Sequence, residues 1–137
     1  MQNLEKNCTK LQNKLQKDLQ VFNPPPLLLN LCYCMNRIVH FEMGCDVAKT
    51  TWTGDVDSFK QVTSAAPIPM LVAGGANTGD TRSVLLMVEN AMGAGAAGVC
   101  MGRQVFAHKY PGKMARALRR IIHEGIPSSV AADEFNL

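Results

Sequence analysis

The sequence predicts an α/β fold of parallel βα units, and three observations carry that reading. Short, nearly uninterrupted apolar runs occur at Val47-Ala48-Lys49-Thr50, Pro69-Met70-Leu71-Val72-Ala73 and Gly98-Val99-Cys100-Met101. Each run gives way to turn chemistry, at Gly54-Asp55, Gly74-Gly75 and Gly102-Arg103. Each turn is followed by a stretch of helix length. Strands without polar alternation, separated by helices, are the mark of a parallel sheet built from crossover units.

The elements follow in order. Residues 1–22 carry Leu4, Cys8, Leu11, Leu15, Leu19 and Phe22 at spacings of three and four, with Lys6, Lys10, Lys14 and Lys17 between them. That is the pattern of an amphipathic helix. Pro24-Pro25-Pro26 stops it and marks a boundary, so residues 1–25 read as a helical extension with a proline-rich linker and 26–137 as the main domain. Leu27 to Cys34 is apolar without a decisive period and is either a buried strand or the start of a helix. From Met35 to Met43 the spacing is helical, with Gly44 as the stop.

Beyond Gly44 the expected order is strand 47–50, helix 56–65 capped by Asp55, strand 69–73, helix 80–93, strand 98–101, and a final helix from Pro111 to about 124. Gly125 and Pro127 end that helix.

Composition narrows the class. Hydrophobic content of 47% and charged content of 18% fit a folded globular domain rather than a disordered chain. A net charge of +3 suits anionic small molecules. The basic residues form no dense stripe interleaved with aromatics, so nucleic acid is not an expected partner. No apolar run reaches the length of a membrane span. The five cysteines are an odd number without framework spacing, and no secretory leader opens the chain, so reduced thiols in the cytoplasm are expected.

Lys49 is the main candidate for chemistry. An amine at the C-terminal end of a buried parallel strand lies on the rim where such folds place their active sites. It serves there as a phosphate clamp or as a nucleophile that forms an imine with a carbonyl. An ordinary lysine is only about 0.04% neutral at pH 7. Imine chemistry therefore asks for burial or a neighbouring cation, which bring lysines down to roughly 7–8. The alternative is a side chain that extends from the rim into water.

Gly74-Gly75 and Gly102-Arg103 stand just past successive strands. Glycine there admits backbone N–H groups close to an anion, and Arg103 adds a planar fork of donors. The competing reading is two tight turns, with Arg103 paired to a surface carboxylate. Gly93-Ala94-Gly95-Ala96-Ala97-Gly98 matches a dinucleotide fingerprint as a string, but it follows a helix and precedes a strand, which is the reverse of what the fingerprint needs. Cys32-Tyr33-Cys34 with His40 lacks a fourth metal ligand and reads as structural. His108 and His123 read as solvated or locally satisfied, and Trp52 either walls a pocket or packs.

From Met35 to Gly125 the sequence resembles the archaeal-type class I fructose-bisphosphate aldolases. It is also similar to related enzymes that make amino-dideoxyheptulosonate or process a phosphorylated autoinducer. The matching stretches are Gly44-Cys45-Asp46-Val47-Ala48-Lys49-Thr50, Thr53-Gly54-Asp55, Val72-Ala73-Gly74-Gly75, and Ala94 through Arg103 with Val105-Phe106. The resemblance implies an eight-stranded (β/α)8 barrel, of which this chain holds strands six to eight and their helices.

By the same resemblance Lys49 is the Schiff-base lysine, and Gly74, Gly75, Gly102 and Arg103 hold the substrate phosphate. It implies a glycolytic or gluconeogenic aldehyde-lyase needing no metal or other cofactor. Ala76-Asn77 stand where the family usually has Pro-Lys, and Gln104 where asparagine is usual. The acid of strand one and the tyrosine of strand five have no assigned counterpart. A complementary barrel half or further copies of the chain are the expected partners, with a non-catalytic phosphate-binding remnant as the alternative function.

Overall fold

The structure is a computed structural model and describes residues 26–75 and 80–137. The amphipathic stretch at 1–22 lies outside the described residues. Nine elements follow in order: α1 (Pro26–Glu42), β1 (Ala48–Thr51), α2 (Val56–Ser64), β2 (Met70–Ala73), α3 (Thr81–Gly93), β3 (Gly98–Cys100), α4 (Arg103–Phe106), α5 (Pro111–Glu124) and α6 (Ser128–Phe135). The strands form one parallel three-stranded sheet in the order β1-β2-β3, with Ala48 opposite Met70 and Leu71 opposite Gly98. An unclosed parallel sheet with helical crossovers is a segment of a (β/α) barrel, as the sequence predicts.

The register sorts the side chains into two faces. Ala48, Met70, Thr50 and Val72 are buried, and Val99, level with Val72, packs with them. The other face carries Lys49 level with Leu71, and Thr51 level with Ala73 and Cys100. None of those five is buried. The described helices therefore cover one face of the sheet, and the described residues leave open the face that would look toward a barrel axis.

Two apolar clusters fill the covered side. Phe59, Val62, Met70 and Val72 centre the first, between β1, β2 and α2. Leu85, Val88, Met114 and Leu118 centre the second, where α3 meets α5 and α6. Met87, Met92 and Val99 touch both, which joins them into one core.

The structure settles several expectations. The ambiguous Leu27–Cys34 run belongs to α1, and Pro26 opens that helix rather than ending one. Asp55 caps α2 as predicted, accepting from the Ser58 amide at 2.8 Å and its hydroxyl at 2.6 Å. Those bonds hold its carboxyl below the ordinary carboxylate range. The helix at Pro111 is not the last: α4 precedes it and α6 follows. The first turn of α6 is satisfied from a distance, as Glu89 on α3 accepts from the Ser128 amide at 2.8 Å.

Arg37 explains how α1 is held. Its side chain is buried, donating from Nη1 to the Val62 carbonyl at 3.2 Å and from Nη2 to the Ile68 carbonyl. Burial pushes the guanidinium below its ordinary value. One side chain thereby ties α1 to the end of α2 and to the approach to β2. Arg37→Ala removes both bonds and leaves a void, so a loss of about 2–4 kcal/mol is expected. Urea unfolding measures it, and Arg37→Lys, with donors but no fork, should fall between the two.

Candidate functional site

β1 brings Lys49 to the open face of the sheet because residues alternate along a strand, and Ala48 and Thr50 take the covered side. Lys49 is exposed. No described element encloses it, because the described elements cover only one face. Beside it, Leu71 leans across the sheet until its Cδ2 lies 3.3 Å from where a Cβ on Gly98 would stand.

The two glycine turns come together beyond the ends of β2 and β3. Arg103 Nη2 donates to the Gly75 carbonyl at 3.3 Å, and Gln104 Nε2 donates to the Gly74 carbonyl at 3.0 Å. Among the described residues, no carboxylate forms an ion pair with Arg103. Lys49 stands level with Leu71, three positions before Gly74, which is roughly 10 Å along the sheet.

The glycines have distinct reasons. A Cβ on Gly74 would lie 2.9 Å from Met101 Cγ and 3.0 Å from Gln104 Cγ, so this position allows the β2 and β3 turns to touch. Gly75 has φ +65°, the left-handed region. At Gly102 an added Cβ would meet open space, and packing does not demand glycine there. Gly74→Ala is expected to cost about 1–3 kcal/mol by forcing the turns apart, and Gly75→Ala about 1–2 kcal/mol through its backbone. Thermal unfolding of the two variants checks this, and an unchanged melting temperature for Gly74→Ala would contradict the contact.

Sequence reasoning undervalued Gln104. It is buried at the start of α4, and its amide is what fastens the Gly74 turn. Its place directly after Arg103 on a one-turn helix was the available signal. Tyr33 also acquires a place: Thr51 Oγ1 donates to its hydroxyl at 2.7 Å, fastening α1 to the end of β1. Trp52 packs on Phe59 with ring centroids 5.0 Å apart, which steadies the loop after Lys49.

The other singled-out residues serve the fold. Cys32 and Cys34 project from different sides of α1, and no group of His, Cys, Asp and Glu among the described residues could hold a metal. Burial pushes the Cys34 thiol up, with Arg37 partly offsetting it. His40 Nδ1 lies 2.6 Å from the Asn36 carbonyl. His108 Nδ1 accepts from the Tyr110 amide at 3.1 Å, which leaves Nε2–H to donate to Thr81 Oγ1 at 2.8 Å. His123 is exposed at the end of α5.

A cavity of about 220 Å³ lies between the starts of α3 and α5 and is lined by Asp80, Thr81, Gln104, His108 and Lys109 among others. None of Lys49, Gly74, Gly75, Gly102 and Arg103 lines it. No described helix is long and apolar enough to cross a membrane.

A sequence model of the DeoC/LacD family aldolases matches residues 35–108, more than half of the 137-residue chain. The chain belongs to the DeoC/LacD aldolase family. Among its relatives is a 2-amino-3,7-dideoxy-D-threo-hept-6-ulosonate synthase of Halobacterium salinarum, 45% identical over 83 residues that make up 61% of this chain and 31% of that enzyme. An uncharacterised aldolase of Saccharolobus solfataricus is 41% identical over 83 residues, 61% of this chain and 30% of its own. The chain thus spans under a third of these relatives.

The fold matches solved aldolases of the family. A Schiff-base-forming fructose-1,6-bisphosphate aldolase superposes with a TM-score of 0.66 at 30% identity, covering 69% of this chain and 38% of that one. An archaeal fructose 1,6-bisphosphate aldolase gives 0.65 at 30% identity over 74% of this chain and 39% of that one. The described residues, with three parallel strands and their helices, form a partial (β/α) barrel.

Proposed function

We propose that the chain carries the Schiff-base half of a class I aldolase acting on a ketose phosphate such as fructose 1,6-bisphosphate. In this reading the Lys49 amine adds to the substrate ketone, water leaves, and the imine takes up a proton. The iminium then draws in the electron pair of the adjacent carbon–carbon bond as the neighbouring hydroxyl loses its proton. An aldehyde departs and leaves an enamine, which is protonated and hydrolysed to return the amine. The backbone amides of Gly74, Gly75 and Gly102 and the Arg103 guanidinium hold the phosphate, in the manner of anion-binding backbone nests.

The observation that carries this reading is the tying of the Gly74-Gly75 turn to Arg103 and Gln104, three positions beyond the level of Lys49 on the same sheet. The glycine at 102, which packing does not require, leaves room beside Arg103. Turnover in the cytoplasm, in glycolysis or gluconeogenesis, would further need the remaining barrel units to wall the open face and supply the proton-transfer groups. In this reading a longer polypeptide or a partner chain supplies those units.

The open face and exposed Lys49 favour one other reading, a module that binds the phosphate without turnover. Incubation with fructose 1,6-bisphosphate and borohydride, followed by peptide mass spectrometry, separates them. A reduced adduct on Lys49 supports the imine chemistry. Phosphate-ester binding without an adduct on the folded protein leaves only the binding module. Repeating the trap with dideoxyheptulosonate-type substrates reports on substrate class, since the Halobacterium relative is named for that product.

A further inference from the structure

The cavity of about 220 Å³ between the starts of α3 and α5 takes no part in the chemistry proposed above, and its lining is graded from mouth to floor. Val84 and Met114 are buried and make the floor apolar. Asp80, just ahead of α3, and Lys109, just ahead of α5, are exposed and stand at the mouth. Thr81 and His108 lie between these levels, half-buried. One cavity thus presents an acid, a base and an apolar floor.

The two charges are both available. Asp80 accepts from the Ser83 amide at 3.4 Å and from the Ser83 hydroxyl, and these bonds hold its carboxyl below the ordinary carboxylate range. A carboxylate has about four acceptor positions, so those bonds do not exhaust it. Asp80 and Lys109 form no ion pair with each other or with another described residue. The Lys109 ammonium lies 5.2 Å from the Tyr110 ring centroid, a contact weaker at the surface than a charge-assisted hydrogen bond to an anion. Thr81 Oγ1 accepts from His108 Nε2–H at 2.8 Å, which leaves the Thr81 O–H to donate.

We infer that this cavity binds a small zwitterionic α-amino acid with an apolar side chain. The ligand ammonium faces Asp80, its carboxylate faces Lys109 and the Thr81 hydroxyl, and its side chain rests on Val84 and Met114. A simple anion would meet the Asp80 charge and a simple cation the Lys109 charge, whereas a zwitterion answers both. The size agrees: 220 Å³ is the share of about seven waters, below the roughly 300–1,000 Å³ of sites for drug-sized ligands. Neither Lys49 nor the residues proposed to hold phosphate line the cavity, so the inference does not rest on the aldolase reading.

Titration of the full chain with L-valine, followed by amide NMR, tests it. Shifts are expected at Thr81, His108 and Lys109, with a Kd of about 1 mM or tighter. 3-Methylbutanoate lacks the amine and 2-methylpropylamine lacks the carboxylate, and each should bind about tenfold more weakly or worse. Lys109→Met, at an exposed position, should weaken L-valine by about tenfold and leave 2-methylpropylamine unchanged. Asp80→Asn keeps a helix-capping side chain and should weaken L-valine equally while sparing 3-methylbutanoate. Four results overturn the site: no shifts at these amides, shifts only elsewhere, either analogue binding as well as L-valine, or L-valine affinity indifferent to both substitutions.

Discussion

Lys49→Arg is expected to lose the borohydride-trapped adduct while the protein stays folded and still binds a phosphate ester. The substitution keeps a positive charge and similar reach, so a lysine acting only as an anion clamp would be replaced with little loss. Imine formation instead needs a neutral nitrogen with a free lone pair. A guanidinium holds its proton far more tightly than an amine, so the neutral fraction alone falls by about a hundredfold or more. The guanidinium lone pairs are also delocalised. Trapping should therefore drop by at least about a hundredfold, to background. The position is exposed, so the change carries no packing penalty to confuse the result. Undiminished trapping, or an adduct on a different lysine, would remove Lys49 from the proposed chemistry.

The architecture was legible because its signals are local. Asp55 announces α2 from within four residues, and each strand announces itself by a short, nearly uninterrupted apolar run that gives way to a glycine turn. What escaped notice depends on partners remote in sequence. α6 has no side-chain cap of its own, and its first amide is met by Glu89, thirty-nine positions earlier. The Leu27–Cys34 run has too little period to declare a helix, and Arg37, which holds α1 in place, bonds carbonyls 25 and 31 positions ahead.

The candidate site divides along the same line. Residue types and order along the chain pointed to Lys49 and both glycine turns, since β-strand ends and glycine need no tertiary knowledge to notice. The fastening of those turns by Gln104, and the reason Gly74 bears no side chain, arise only from the contact between neighbouring turns. The unbroken apolar strands predict a sheet covered on both faces, whereas the described elements cover one. That difference is physical. Strand composition suits a closed barrel, and the open face here carries Leu71, Ala73 and Cys100, which are residues fit for an interior.

A sheet covered on one side concentrates its stability in few residues, and Phe59 is foremost among them. Its side chain is fully buried on α2, against Val62, Met70 and Val72, with the Trp52 ring 5.0 Å away. Phe59→Ala removes most of that contact and leaves a void that the strands above cannot close without breaking register. The expected loss is about 3–5 kcal/mol. A whole domain typically holds only about 5–15 kcal/mol, and a partial barrel belongs at the low end, so cooperative unfolding by urea should move most of the way toward zero denaturant. Phe59→Leu, which keeps most of the volume, should cost less than about 1.5 kcal/mol. Phe106→Ala is the control on the surface: that ring is 80% exposed, and its removal should change stability by no more than about 0.5 kcal/mol. Trp52 also reports directly, because losing its aromatic neighbour should shift its emission to longer wavelength before global unfolding. A Phe59→Ala loss below about 1 kcal/mol would mean that the first cluster is not what anchors β1. It would equally mean that the loop after Lys49 takes its position from something other than the Trp52–Phe59 contact.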